Sequence, residues 1–203
     1  EVIYENERLI RSLPYIKEIN ILLEQDSVYA GFVKVLILIK DRFSFGVSGN
    51  VNGIQSAAFQ IYNANIFGVG HEIAFVFAGH MNKQPYLGVE TYYKIKNIRG
   101  KFVDILFGYL NTYKSEGIKF NYNKPFITTS IKWGYGATAM RMFRANWIFE
   151  NDVIYSETPM DFSYYGAWAG HSFQVKKNKP ENAQIVLSGG FHTQYFYKRP
   201  FYE

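Results

Sequence analysis

The stretch Val33–Asn52 runs Val33-Lys34-Val35-Leu36-Ile37-Leu38-Ile39, then Lys40-Asp41-Arg42, then Phe43-Ser44-Phe45-Gly46-Val47-Ser48-Gly49-Asn50-Val51-Asn52. Its first part is almost continuously apolar, which predicts a strand buried on both faces of a small water-soluble domain. Three charges interrupt at Lys40, Asp41 and Arg42. The pattern then changes: Phe43, Phe45, Val47 and Val51 share one face, while Ser44, Gly46, Ser48 and Asn50 share the other. One apolar face and one small, polar face suit a sheet standing between lipid and water. Residues 40–42 therefore read as the join between a soluble module (1–41) and the wall of a membrane barrel (42–203).

Composition points the same way. The chain has 203 residues, of which 19% are charged and 19% aromatic, with 17 Tyr and 18 Phe. That tyrosine load exceeds what a soluble core needs, and aromatic girdles at two membrane interfaces would use it. The net charge of +5 comes from scattered Lys and Arg, which gives nucleic-acid binding little support. There is no Cys, so disulfides, thiolate metal sites and cysteine catalysis are excluded. Glu1-Val2-Ile3-Tyr4 does not have the charged start and apolar run of a signal peptide; an exported protein would have lost one. Phe43–Gly70 has no charged residue over 28 positions. Its asparagines, glutamines, glycines and serines make it a poor membrane helix, but two strands with one wet face tolerate them.

Along the chain, Asn6 is positioned to cap a short helix over Glu7–Leu13 that Pro14 ends. Tyr15–Gln25 alternates as a half-buried strand, Asp26-Ser27 turns, and Val28–Lys40 returns as a second strand. Helix, strand, strand is an α+β fragment with one covered sheet face. About 40 residues make too small a core alone, so more chain is expected before Glu1. Beyond Asp41, segments of about ten residues alternate with period two and repeat about nine times. Phe75 and Phe107 fall on the apolar face, and Ala74 and Gly108 on the other. Turns are expected at Gly68-Val69-Gly70, Arg99-Gly100 and Ser115–Gly117, and a longer loop at Ala145–Pro159. The polar face carries Gly, Ser, Asn and Ala with a few paired-looking charges: Glu72, Glu90, Lys94, Lys96 and Asp104. A soluble sandwich would carry many more charges there, so these residues are assigned to a hydrated lumen.

No catalytic constellation is present. His71, His80, His171 and His192 match no metal-ligand spacing. Asp152 and Asp161 near His171 lack the Gly-x-Ser-x-Gly turn of a hydrolase. Gly68-Val69-Gly70 lacks the third glycine and the helix of a dinucleotide site. The reading is a protein that is not an enzyme and has no cofactor.

Several segments resemble one family. Glu7–Glu18 is similar to the second helix and following strand of a POTRA domain, and Val33–Asp41 to its final strand. Asn63-Ala64-Asn65-Ile66-Phe67-Gly68-Val69-Gly70 resembles a turn early in barrels of the BamA/TamA-type outer-membrane assembly superfamily. Lys124-Pro125-Phe126, Lys132-Trp133-Gly134-Tyr135-Gly136 and Lys198-Arg199-Pro200 resemble further parts of it. The first strand and helix of a POTRA domain are missing, and so is the family's Val-Arg-Gly-Phe/Tyr element, which would lie beyond Glu203. The resemblance implies a mainly β fold: a POTRA-like α+β fragment followed by the first eight or nine or so strands of an antiparallel transmembrane β-barrel. It implies an outer-membrane location with the module in the periplasm, and insertion or translocation of other proteins. Partners would be unfolded outer-membrane or secreted clients, outer-membrane lipid and lipopolysaccharide, and accessory envelope proteins. Clients would pair with a module edge at Ile19, Asn20 and Ile21. They would leave through a barrel seam at Phe43, Phe45, Gly46, Val47, Ser48 and Gly49. A porin-like channel for small solutes and a soluble lipid-binding barrel remain as alternatives.

Overall fold

The structure is a computed structural model and describes residues 2–25, 29, 31–82, 86–113, 115–128, 130–150, 153–174 and 184–199. The expected turn at Asp26-Ser27 lies outside the described residues. Helix α1 spans Val2–Arg11, so it starts earlier than expected and Asn6 sits within it rather than at its cap. Glu5 pairs with Arg8 at 2.8 Å, and Glu7 pairs with Arg11. These i,i+3 and i,i+4 pairs favour an earlier start, because they place acids in the first turns and bases in the last. The Ser12 amide and hydroxyl then bond back to the Arg8 and Leu9 carbonyls and close the helix.

Strands β1 (Ile16–Gln25) and β2 (Val33–Asp41) form a two-stranded antiparallel ribbon. The helix covers one side of β1, where Ile16 and Ile19 are buried. The expectation that Val33–Ile39 is buried on both faces is not met. Val33 is 60% exposed, Ile37 50% and Ile39 50%. The run is apolar on both faces, but a ribbon of two strands and one short helix leaves most of that surface bare.

A single sheet of nine strands follows, in the order β11-β10-β9-β8-β7-β6-β5-β4-β3. Every neighbouring pair is antiparallel and consecutive in sequence. The strands are β3 (Phe45–Asn52), β4 (Ser56–Ile66), β5 (His71–His80), β6 (Leu87–Ile95), β7 (Asp104–Asn111), β8 (Ser115–Lys124), β9 (Trp133–Glu150), β10 (Val153–Gln174) and β11 (Gln184–Lys198). The protein is thus mainly β with one large antiparallel sheet. The sheet is not closed: β3 and β11 each have one partner.

Two boundaries differ from those read in the sequence. Ser115–Gly117 begins β8; the turn precedes it, with Thr112 and Ser115 exchanging backbone hydrogen bonds. Residues 145–150 and 153–159 are strand rather than loop. They extend β9 and β10 past their neighbours as a two-stranded hairpin, pairing from Val153↔Glu150 to Pro159↔Ala145. Partner strand β11 stops at Lys198 opposite Asp161, so among the described residues β10 has one partner at Pro159, where proline is tolerated.

The registers sort the sheet into two faces. The set Phe45, Val47, Phe59, Phe75, Phe107, Tyr109, Ile118, Tyr165, Leu187, Phe191 and Tyr195 lies on one face, and all are exposed. The opposite face is built on small side chains: Ala74 is fully buried, and Gly88, Gly134, Gly136 and Gly170 are buried. Large rings lie flat across some of these glycines. A Cβ at Gly46 would collide with the Tyr62 ring, one at Gly134 with Phe126, and one at Gly136 with the Trp168 indole. The expected placing of Phe75 and Phe107 opposite Ala74 and Gly108 matches this register.

Candidate functional site

At one end of the sheet, the turns 67–70 and 96–103 and the loop 125–132 meet the helical module. The Tyr15 carbonyl accepts the Arg42 amide at 2.8 Å, tying the start of β1 to the link before β3. Arg8 Nη2 donates to the Ile127 carbonyl at 2.7 Å, tying the helix to the loop. The same guanidinium hydrogen-bonds Glu5, which holds the Glu5 carboxyl below the usual carboxylate range. Between helix and sheet lies a hollow of about 380 Å³ lined by Leu9, Ile10, Leu13, Lys96, Phe102 and Asp104 among others. The turn beneath it is tightly wound. Asn97, Arg99 and Phe102 have φ near +50°, a left-handed conformation that costs non-glycine residues energy. Side-chain bonds hold it there: Asn97 Oδ1 accepts the Phe102 amide at 2.9 Å, and Asp104 Oδ1 accepts the Asn97 amide at 3.0 Å.

Four of the five charges assigned to a lumen gather at this same end. Lys96 pairs with Glu72 at 2.6 Å, and Lys94 with Asp104 at 3.5 Å, all four side chains being partly buried. Register places Glu72, Lys94 and Asp104 on the small-residue face with Ala74 and Gly108. Glu90 shares that face, opposite Val76 and Leu110. It is exposed and makes no ion pair among the described residues, so it does not join the network. Tyr92, which the sequence did not single out, completes the cluster by donating its hydroxyl to Glu72 Oε1 at 2.9 Å. Residues 125–128 and 130–132 also fold onto the small-residue face. Phe126 packs at a tilt against Trp168 with centroids 6.2 Å apart, and Thr128 and Ile131 are buried. The signal that could have found these aromatic seats is the glycine at 134 and 136 beside them in the strand pattern.

The proposed seam residues fall on an unpartnered edge. Phe45, Gly46, Val47, Ser48 and Gly49 lie in β3, which among the described residues pairs only with β4. Phe43 precedes the strand and is 85% exposed. Phe45, Val47 and Gly49 are on the apolar face, and Gly46 and Ser48 on the other, where Ser48 Oγ donates to Gln60 Oε1 at 3.3 Å. The module edge is also open among the described residues, because β1 pairs there only with β2. Along it Ile19 is buried, Ile21 is half-buried and Asn20 is exposed. The Ile19 carbonyl lies 3.5 Å from Arg11 Nη2, so the helix partly occupies this position. β2 has an equally free edge, and β1 is therefore not the module's sole open strand.

No helix among the described residues is long and apolar enough to cross a membrane. Neither a scan against protein-family models nor a search of curated proteins returns a match to this chain.

Proposed function

We propose that the nine-stranded sheet is part of a transmembrane barrel wall in an outer membrane, and that the protein belongs to the BamA/TamA-type machinery that inserts or translocates other proteins. The observation carrying the membrane reading is the broad, largely aromatic and aliphatic face: Phe75 is 40% exposed, Phe107 51%, Ile118 61% and Leu187 70%. A monomeric soluble protein rarely leaves so large a contiguous apolar patch bare. Strands β3–β8 run 8 to 11 residues, close to the about 9–11 a tilted strand needs to cross a bilayer. The opposite face, with its small residues and ion pairs, suits a hydrated interior.

Support for the assembly role comes from open strand edges. Unpaired backbone N–H and C=O groups offer hydrogen bonds to any extended chain without demanding its sequence. The module ribbon presents such edges on the periplasmic side in this reading, and β3 presents one in the wall. A client strand would be captured at the module and then template on β3 before leaving sideways into lipid. The test is to reconstitute the purified protein in lipid vesicles and add a urea-unfolded outer-membrane barrel protein. The client should fold several-fold faster than in empty vesicles. Unchanged folding combined with solute-selective conductance would overturn the assembly role in favour of a channel.

A further inference from the structure

The turn between β4 and β5 holds a phenylalanine in a costly position. Phe67 has a φ of 56°, in the left-handed region, next to Gly68 and near Gly70, whose positive φ values suit glycine. The Phe67 residue is 92% exposed. The turn itself is firmly held. Asn65 Oδ1 accepts the Gly70 amide at 2.7 Å, and Asn63 Oδ1 accepts the Asn65 amide at 2.9 Å. The Asn65 carbonyl accepts the Gly68 amide at 3.1 Å. These bonds fix where the ring stands.

Phe102, at the same end of the sheet, has nearly the same φ of 57°, but it lines the hollow under the helix with Leu9, Ile10 and Leu13. Packing within the chain offsets its strain. Phe67 has no such cover. Phe43 stands beside the same turn. The Ser44 carbonyl accepts the Ala64 amide at 2.8 Å, which carries the β3–β4 register one residue past Phe45↔Asn63 and sets Phe43 level with Asn65. Phe43 is almost fully exposed and Val69 is exposed too.

This corner also differs in charge from the other two described connections at the module end. Residues 43–70 carry no charge and are bounded by Arg42 and by His71-Glu72, of which Glu72 is engaged by Lys96. By contrast, 96–103 contains Lys96, Arg99 and Lys101, and 125–132 ends in Lys132. An uncharged turn with two bare rings is a poor surface toward water. It continues the apolar face at Phe45.

We propose that Phe67 and Phe43 insert among the phospholipid acyl chains of the leaflet on the module side and anchor the β3 edge there. This rests on the membrane reading above and names what the turn binds. Phenylalanine has no polar end, so its seat is below the headgroups, deeper than the level at which Tyr and Trp rest. The left-handed turn keeps the ring off the sheet and available to lipid. The same turn carries the module: a Cβ on Gly70 would stand 3.0 Å from the Tyr15 hydroxyl, and the Tyr15 carbonyl accepts the Arg42 amide. The anchor therefore sets the height of the module beneath the bilayer as well as that of the edge.

The chain has no cysteine, so Phe67→Cys, Phe43→Cys, Phe107→Cys and Lys101→Cys can each be labelled with the fluorophore NBD and folded into phosphatidylcholine vesicles. Lipid brominated near the headgroup should quench the labels at 67 and 43 several-fold more than lipid brominated near the chain ends. Aqueous iodide should quench them several-fold less than the label at 101, on an exposed site of a charged turn. The label at 107 should respond more to the deep bromines. If Phe67→Cys does not fold, Phe43→Cys carries the same comparison. Labels at 67 and 43 that iodide quenches as strongly as the one at 101, with the label at 107 still quenched by brominated lipid, overturn the anchor alone and leave the turn to water or to a protein partner. A label at 107 that no brominated lipid quenches overturns the membrane reading and the anchor with it.

Discussion

Phe107→Arg is the most informative single substitution. Phe107 is the fourth of eight residues in β7, lies between Tyr93 and Phe120, and is 51% exposed on the apolar face. Its ring packs on Phe120 with centroids 5.1 Å apart. If that face meets lipid, an Arg near the midplane costs about 2–4 kcal/mol. Loss of the ring pair adds about 0.5–1.5 kcal/mol. The sum is about 3–5 kcal/mol, or more than ~100-fold in the folding equilibrium. The control is Glu90→Arg, at an exposed site on the opposite face, which should cost only about 0.5 kcal/mol. Both would be measured by equilibrium urea unfolding from lipid vesicles. In water the same Phe107→Arg change would lose only the ring contact, about 1 kcal/mol, and would gain solubility. Phe107→Arg costing no more than Glu90→Arg would refute the assignment of the two faces.

Three further outcomes are expected. Gly136→Ala should destabilise the sheet by about 1–3 kcal/mol, because the new methyl meets Trp168 and Asn123; a double-mutant cycle with Trp168→Ala should recover much of that. Arg8→Ala should free the helix from the loop at Ile127, read as faster proteolysis of 2–25 with the sheet still intact. The Glu5 carboxyl is held below the ordinary carboxylate range by its hydrogen bond to Arg8, so its small contribution is present above that range and fades as pH falls through and below it; Glu5→Gln should abolish that pH dependence of helix protection in hydrogen exchange.

What could be read in the sequence was whatever period two controls. Phe75 against Ala74 and Phe107 against Gly108 were legible because each strand has one apolar neighbour set and one small one, and the register then had no freedom to slip. Glu72, Lys94, Lys96 and Asp104 were legible as a set, but not their gathering beside the helical module. That comes from the turn at 96–103, whose left-handed Asn97 and Arg99 no periodicity reveals. The hairpin at 145–159 was hidden for a related reason. It stands beyond the neighbouring strands, so nothing forces alternation, and Asn146, Asn151, Asp152 and Pro159 imitate loop chemistry. The run Val33–Ile39 misled in the opposite direction. Apolar residues on both faces state what a strand would bury if it were covered; they do not supply the cover.

The central claim is that one face of the sheet meets lipid and the other water, and β7 offers the most direct test. The chain has no cysteine, so single cysteines can be placed at each position from Asp104 to Asn111 and spin-labelled in vesicles. Labels at Ile105, Phe107 and Tyr109 should collide with oxygen dissolved in the bilayer, and labels at Leu106, Gly108 and Leu110 with a water-soluble nickel chelate, alternating residue by residue. Uniform access of the chelate to both sets would contradict the account.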